Sequence, residues 1–213
     1  MRNQTAEVYE AIKNKIVSGS LRPSESLTEQ ELAEHYGVSR STIKKALLML
    51  CKENLVAVER NKSAKVRDFS PEDVLEYLEV REVLEGLAIK KSIAAITSEQ
   101  VARLETLYAH MQEHVAKGEL FPYSEKNREF HSIIYDACTN KPVVEMIQTI
   151  KNQLNKYNTK TILIPERREQ SIREHGAILD AVKARDAERA ERLIREHIAN
   201  VRATFRDNFL LLL

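Results

Sequence analysis

The chain has 213 residues, of which 43% are hydrophobic and 31% charged, and 33 Lys plus Arg stand against 32 Asp plus Glu for a net charge of +1. Five Gly, five Pro and no Trp are few against average usage of roughly 7% Gly and 5% Pro, and with the abundance of Ala, Leu, Glu, Lys and Arg they point to a mostly helical protein. The start, MRNQTAEVYE, lacks the apolar segment of a signal peptide, no run reaches the ~20 apolar residues of a membrane span, and Cys51 and Cys138 match no metal or redox spacing; a cytoplasmic protein with inert, buried thiols is expected.

In chain order, Val8, Ala11, Ile12 and Ile16 repeat at helical spacing and predict a helix over 5–18, followed by a loop to Ser26. Thr28-Glu-Gln-Glu31 reads as a capping box opening a second helix with Leu32 and Ala33 inward, closed by Gly37. Ser39 caps a third helix that runs to about Glu53. VAVER and AKVRDF alternate apolar and polar residues around Asn61-Lys62-Ser63 and predict a two-stranded hairpin. Ser70-Pro71-Glu72-Asp73 is a helix start, so a boundary is placed near residue 69, dividing the chain into domains 1–69 and 70–213. Beyond it, periodicity predicts helices over 71–95, 98–117, 122–139, 142–160, 166–184 and 187–210, an all-α, roughly six-helix antiparallel bundle.

Charge is uneven. Residues 36–67 hold eight basic side chains against two acidic ones, which is either a solvated face or the footprint of a phosphate-backbone binder. Residues 33–47, AEHYGVSRSTIKKAL, favour the second. A small Ala33, a turn glycine at Gly37 and a buried Ile43 are the types a helix–turn–helix needs. The face left over carries Ser39, Arg40, Ser41, Thr42, Lys44 and Lys45, hydroxyls and cations suited to a major groove.

The stretch LTEQELAEHYGVSRSTIKKALLMLCKENLV resembles the winged helix–turn–helix of GntR-family bacterial transcription factors, and the resemblance covers residues 5–68. It implies that Arg40 is the main base-reading residue, with Ser39 and Ser41 on phosphate and base edges. Lys44 stands where the family usually has a second groove-facing Arg, and Gln30 where a DNA-contacting Arg is common. The wing tip, often Gly-bearing in the family, is Arg60-Asn61-Lys62-Ser63 here, and Asn tolerates the left-handed turn. These departures bear on which operator is read, since Lys cannot match the bidentate geometry of Arg.

In the second domain His110 and His114 form an i, i+4 pair with no further ligand placed to complete a site. Asn127 and His131 share a helix face in NREFH. His175 and His197 lie about ten residues either side of Arg185-Asp186, where a tight turn capped by Asp186 would bring them level and inward. Spacing alone leaves two readings, three hydrogen-bonded core histidines or a first-row metal site. The region 71–208, through EVREVLEGLAIKKSIAAIT, NREFH, EHGAILDAVKARDAERA and EHIAN, resembles the ligand-sensing FCD domain of the FadR subgroup. That resemblance implies that His131, His175 and His197 bind a divalent Zn²⁺, Ni²⁺ or Mn²⁺ with Asn127, with open positions facing a cavity for a small carboxylate effector. Asn127 stands where the pattern usually has Asp, which removes a charge and favours an anionic effector. Arg81 is a candidate effector contact or a helix-packing ion pair.

The expected protein is thus a homodimeric, ligand-responsive regulator binding double-stranded operator DNA, with repression relieved by the effector as the commoner mode. The alternatives are a metal-free sensor of the same fold and a metal-dependent hydrolase with a DNA-binding appendage. Against the hydrolase, Glu174 and Glu196 adjoin the histidines and point about 100° away from them along their helices.

Overall fold

The computed structural model describes residues 4–58, 63–154, 157 and 161–212. The chain divides into two compact units, Met1–Ser70 and Pro71–Leu213.

In the first unit α1 (Gln4–Val17), α2 (Glu29–Tyr36) and α3 (Arg40–Lys52) enclose a core with strands β1 (Ser26–Leu27), β2 (Val56–Ala57) and β3 (Ala64–Val66). Ser39 starts α3 in extended backbone, and its side chain accepts from the Thr42 amide at 3.2 Å. Ile43, Ala46, Leu47 and Leu50 then fall on one stripe and are buried against Val8, Tyr9 and Ile12 of α1. At Gly37 the chain leaves α2 with φ 63, a value that disfavours any residue with a Cβ. The capping box at Thr28 forms only in part. The Thr28 hydroxyl accepts from the Glu31 amide but donates to the Glu31 carboxylate at 2.6 Å, instead of Glu31 reaching the cap backbone.

The predicted two-stranded hairpin is a three-stranded antiparallel sheet in the order β1-β3-β2. Leu27 pairs with Ala64 and Val56 with Val66. β1 lies at the end of the expected loop, because a two-residue strand is too short to show alternation and only the neighbouring β3 defines it. The wing-tip residues Arg60, Asn61 and Lys62 lie outside the described residues.

Among the described residues the second unit has α4 (Pro71–Ser92), α5 (Ser98–Lys117), α6 (Leu120–Ala137), α7 (Lys141–Gln153), a 3₁₀ turn at Thr161–Leu163, α8 (Pro165–Lys183), α9 (Ala187–Asp207) and a short α10 (Phe209–Leu212). Thr97 and Gln100 make the full reciprocal capping box that opens α5. The first helix of the expected 142–160 segment closes at Gln153, with residues 155, 156 and 158–160 of that expectation outside the described residues, and the expected end at residue 210 is split by a cap at Asn208. Apolar periodicity carries through both places, so the breaks were invisible to it.

Two features align the last two helices. Arg185 adopts φ 57 and Asp186 caps α9 by accepting from the Arg189 amide at 3.0 Å. The Arg185 guanidinium also donates to the carbonyls of Ile93 and Ile96 at 2.9 and 2.6 Å, tying the turn to the end of α4. α4 and α9 cross closely at Gly86, where a Cβ would come within 2.8 Å of the Arg195 side chain. The main core runs from Ile89 and Leu104 through Phe130 and Ile134 to Ile178, Val182 and Ile194.

Gly37 has open space where a Cβ would sit, so its replacement carries a backbone cost alone. Gly37→Ala is expected to lower the stability of the first unit by about 1 kcal/mol, read as a lower urea midpoint with an unchanged denaturant slope.

Candidate functional site

His131 on α6, His175 on α8 and His197 on α9 are all buried, and one ligating atom from each lies within 4.8 Å of the others. No other group of three His, Cys, Asp or Glu side chains with this geometry occurs among the described residues. Their orientations are set from behind. The Nδ1 of His175 lies 2.6 Å from the Ser171 carbonyl, and that of His197 2.6 Å from Glu174 Oε2. Both partners can only accept, so both nitrogens carry the proton and each Nε2 presents a lone pair. The Nε2 atoms of His175 and His131 face each other at 3.2 Å, close to the about 3.3 Å separating two imidazoles on one tetrahedral ion.

Asn127 lies one turn before His131, and its Oδ1 is buried with no hydrogen-bond partner. An orphaned carbonyl oxygen beside converging imidazole lone pairs is a donor set that suits a divalent first-row cation. Spacing placed all four of these residues inward, and the fold brings the three histidines together as expected.

Glu174 points away from His175 on its own helix, as expected, but across the hairpin it meets His197, and it also accepts from Arg167 at 2.8 Å and Asn200 at 2.7 Å. Only the relative rotation of α8 and α9 creates that contact. Glu196 is exposed. Glu85 escaped sequence reasoning entirely. It is 1% exposed, its Oε1 is 2.5 Å from Arg81 Nε, and its Oε2 stands 3.6 Å from His131 Nδ1. An acidic residue inside an otherwise apolar stretch of α4 was the available signal. His110 is exposed, and His114 pairs with Glu119 at 2.7 Å at the end of α5, an acid the local spacing did not reveal.

A cavity of about 70 Å³ opens beside the histidines. Its lining includes Asn127, His131, His197, Tyr123 and Ser171, together with Arg81, Arg128, Lys151, Arg167 and Arg168, and among the described residues no carboxylate-bearing side chain. Arg81 borders the cavity and makes a buried i, i+4 ion pair with Glu85 within α4. Arg167 Nη1 and Arg168 Nε are buried without partners, donors that a bound anion would satisfy.

Burial pushes His131 well below the ordinary histidine value, with His175's charge adding to it; it likewise lowers His175 to about 3, and lowers His197 against the pull of Glu174. Burial and then Arg81 bring the Lys151 ammonium down to about 8. Burial works to raise Glu85, but Arg81 and Lys151 hold it below the usual carboxylate value, so it is ionised.

In the first unit Gln30, Ser39, Arg40, Ser41, Lys44 and Lys45 are exposed on α2 and α3. Thr42 is half-buried, its hydroxyl 2.9 Å from Ser39 in the cap. Gln30, Arg40 and Lys44 border one cleft of about 410 Å³, with Ser63 on its sheet side, while Lys45 lies outside it. Glu29 holds Arg40 loosely at 3.6 Å.

A helix–turn–helix with a basic recognition helix and a wing, beside an all-α unit with a buried histidine cluster, defines a class of bacterial transcription factor. The family model "Bacterial regulatory proteins, gntR family" matches residues 4–66 and the FCD domain model matches residues 76–200. The chain belongs to the GntR family of transcriptional regulators, with an FCD domain as its second domain. It is similar to the HTH-type transcriptional regulator YdhC of Bacillus subtilis (26% identical, covering 90% of this chain and 86% of that protein). It also resembles the HTH-type transcriptional repressor GlaR of Escherichia coli (27%, 89% and 90%) and the regulator McbR of the same organism (28%, 90% and 88%). The solved structure of E. coli McbR/YncC has the same fold, with a TM-score of 0.74 at 24% identity over 100% of this chain and 98% of that one. Proteins of this class bind DNA and are not enzymes, and no helix among the described residues is long and apolar enough to cross a membrane.

The three depressed histidines make the metal-free protein acid-sensitive. The unfolded chain takes up protons near pH 6.5, which the folded imidazoles refuse. Stability is therefore complete above about 6.5 and is lost as pH falls through that value towards the folded values, by at most about 1.4 kcal/mol per pH unit per histidine. Urea titrations of chelator-treated protein at pH 7.5, 6.0 and 5.0 should show a falling midpoint. His175→Asn should flatten that dependence.

Proposed function

We propose that the chain is a cytoplasmic, homodimeric transcriptional repressor that senses a small organic acid through a metal-centred pocket in its FCD domain. The observation that carries this reading is the convergence of three buried imidazoles on one point beside a cavity whose lining, among the described residues, has five cationic side chains and no acidic one. His131, His175 and His197 would hold a divalent cation such as Zn²⁺, Ni²⁺ or Mn²⁺, with the Asn127 carbonyl as a fourth, weaker donor. When bound, such an ion supplies a positive charge that attracts a carboxylate. Arg167 and Arg168 donate to that carboxylate from the cavity wall, Lys151 adds charge, and Arg81 supports the same end of the cavity. The donor set is neutral, so an anion completes the charge balance.

For DNA, Arg40 would read base edges, Ser39 and Ser41 would contact phosphate and base edges, and Gln30, Thr42, Lys44 and Lys45 would flank them, with Arg60, Asn61 and Lys62 at the wing. One recognition helix spans too few base pairs for useful specificity, which two copies on a two-fold symmetric operator remedy. The effector acts by binding more tightly to the form that leaves the operator. The name of GlaR supports repression as the sign.

Three measurements test this. Elemental analysis of tag-free protein should find about one divalent ion per chain, lost in His175→Ala; a metal-free protein that still binds small carboxylates would establish a purely organic pocket instead. In band-shift titrations on a selected operator, small mono-, di- and tricarboxylates should include at least one that releases the DNA from the metal-loaded protein. Arg40→Ala should cost about 1–3 kcal/mol on that operator and relax sequence preference, whereas Lys45→Ala should weaken all sequences alike and lower the salt slope by about 1.

A further inference from the structure

His131 Nδ1 and Glu85 Oε2 are both buried, both without a hydrogen-bond partner, and 3.6 Å apart, so each can answer the other's unmet need, while the Tyr135 hydroxyl also meets the Glu85 carboxylate. On the other side of the same ring, His131 Nε2 faces His175 Nε2 at 3.2 Å. His175 carries its proton on Nδ1, against the Ser171 carbonyl, so its Nε2 is an acceptor. His131 therefore has two tautomers with opposite consequences. With the proton on Nε2 it donates to His175, the pair is satisfied internally, and no lone pair is left for an ion. With the proton on Nδ1, the two Nε2 lone pairs confront each other and are relieved by a cation.

We propose that Glu85 is the positioning residue that decides between these, accepting the His131 Nδ1–H and so keeping the histidine cluster open to a metal ion. The choice follows from charge. Glu85 is an anion paired through its other oxygen with Arg81, and an Nδ1 lone pair turned towards it in a dry interior would be repelled, whereas an N–H is attracted. Glu174 does the same for His197 from α8. The atoms that face the ion are three imidazoles and an amide, all neutral. The negative charge that steadies a dication there comes from behind the rings, through these two carboxylates. The inference rests on the metal-site reading, but its first consequence, the tautomer, is a property of the protein alone.

The test uses full-length protein. Long-range ¹H–¹⁵N spectra of the chelator-stripped wild type are expected to show His131 as the Nδ1–H tautomer. Glu85→Gln is expected to move it to Nε2–H and to weaken Zn²⁺ binding, by calorimetry, about 10–100-fold. Because Glu85→Gln strands the buried Arg81 charge and can unfold the protein, the paired variant Arg81→Gln/Glu85→Gln, which removes both charges, is measured beside it, with its metal-free melting temperature as the check on folding. An Nε2–H tautomer in the stripped wild type, or undiminished Zn²⁺ affinity in a folded variant, would overturn the role of Glu85. A wild type that holds the Nδ1–H tautomer and takes up no Zn²⁺ would instead overturn the metal reading and leave the tautomer assignment supported.

Discussion

Three imidazoles removed from water must each have their polar nitrogens met, and the second unit is arranged around that demand. Each ring carries one nitrogen facing backwards to an acceptor or a carboxylate and one facing the other rings. An unmet buried polar group costs about 1–3 kcal/mol. The turn at Arg185-Asp186, the caps that fix its helices and the Arg185 contacts to the end of α4 all hold the rings at one level. A looser hairpin would leave the nitrogens out of register and lose the convergence. Phe130 packs in a T-shaped contact against His175, with ring centroids 5.1 Å apart.

Charge is sorted in space around this point. Behind the rings lie Glu85 and Glu174; in front lies a cavity that, among the described residues, is lined by cations and no acid. Arg81 and Glu85 neutralise each other within α4, and Arg167 and Glu174 do so within α8. Lys151 lines the cavity too, and the buried donors Arg167 Nη1 and Arg168 Nε have no partner there. The described lining of the cavity is thus cationic, with the acids set behind the rings, and Asn127 adds a neutral amide where a carboxylate would have added negative charge.

The helix that carries Arg81 and Glu85 is the one that follows the DNA-binding unit in the chain, beginning at Pro71. Arg81 and Glu85 of α4 and His131 of α6 meet behind the proposed pocket, so a ligand bound there would be felt by α4. Regulation requires no more than a difference in ligand affinity between two settings of such an element.

Much of the molecule was legible in its sequence, because the relevant signals are local. Ser39 before an apolar stripe, Gly37 after one, Thr97 with Gln100, and the polar turn at Asp186 each act within one helical turn of themselves. The order of helices, the turn glycine of the helix–turn–helix, and the inward face of Asn127, His131, His175 and His197 follow from periods of 3.6 residues. Family resemblance added the metal-site expectation, which spacing had left beside hydrogen-bonded core histidines. What only the tertiary structure decided is what meets across elements. Strand β1 exists because β3 is beside it, Glu174 serves His197 because α8 and α9 are rotated to face each other, and Glu85 stands behind His131 because α4 packs on α6. Those contacts join residues 23 to 46 positions apart, and no period in the chain encodes the angle at which two helices lie.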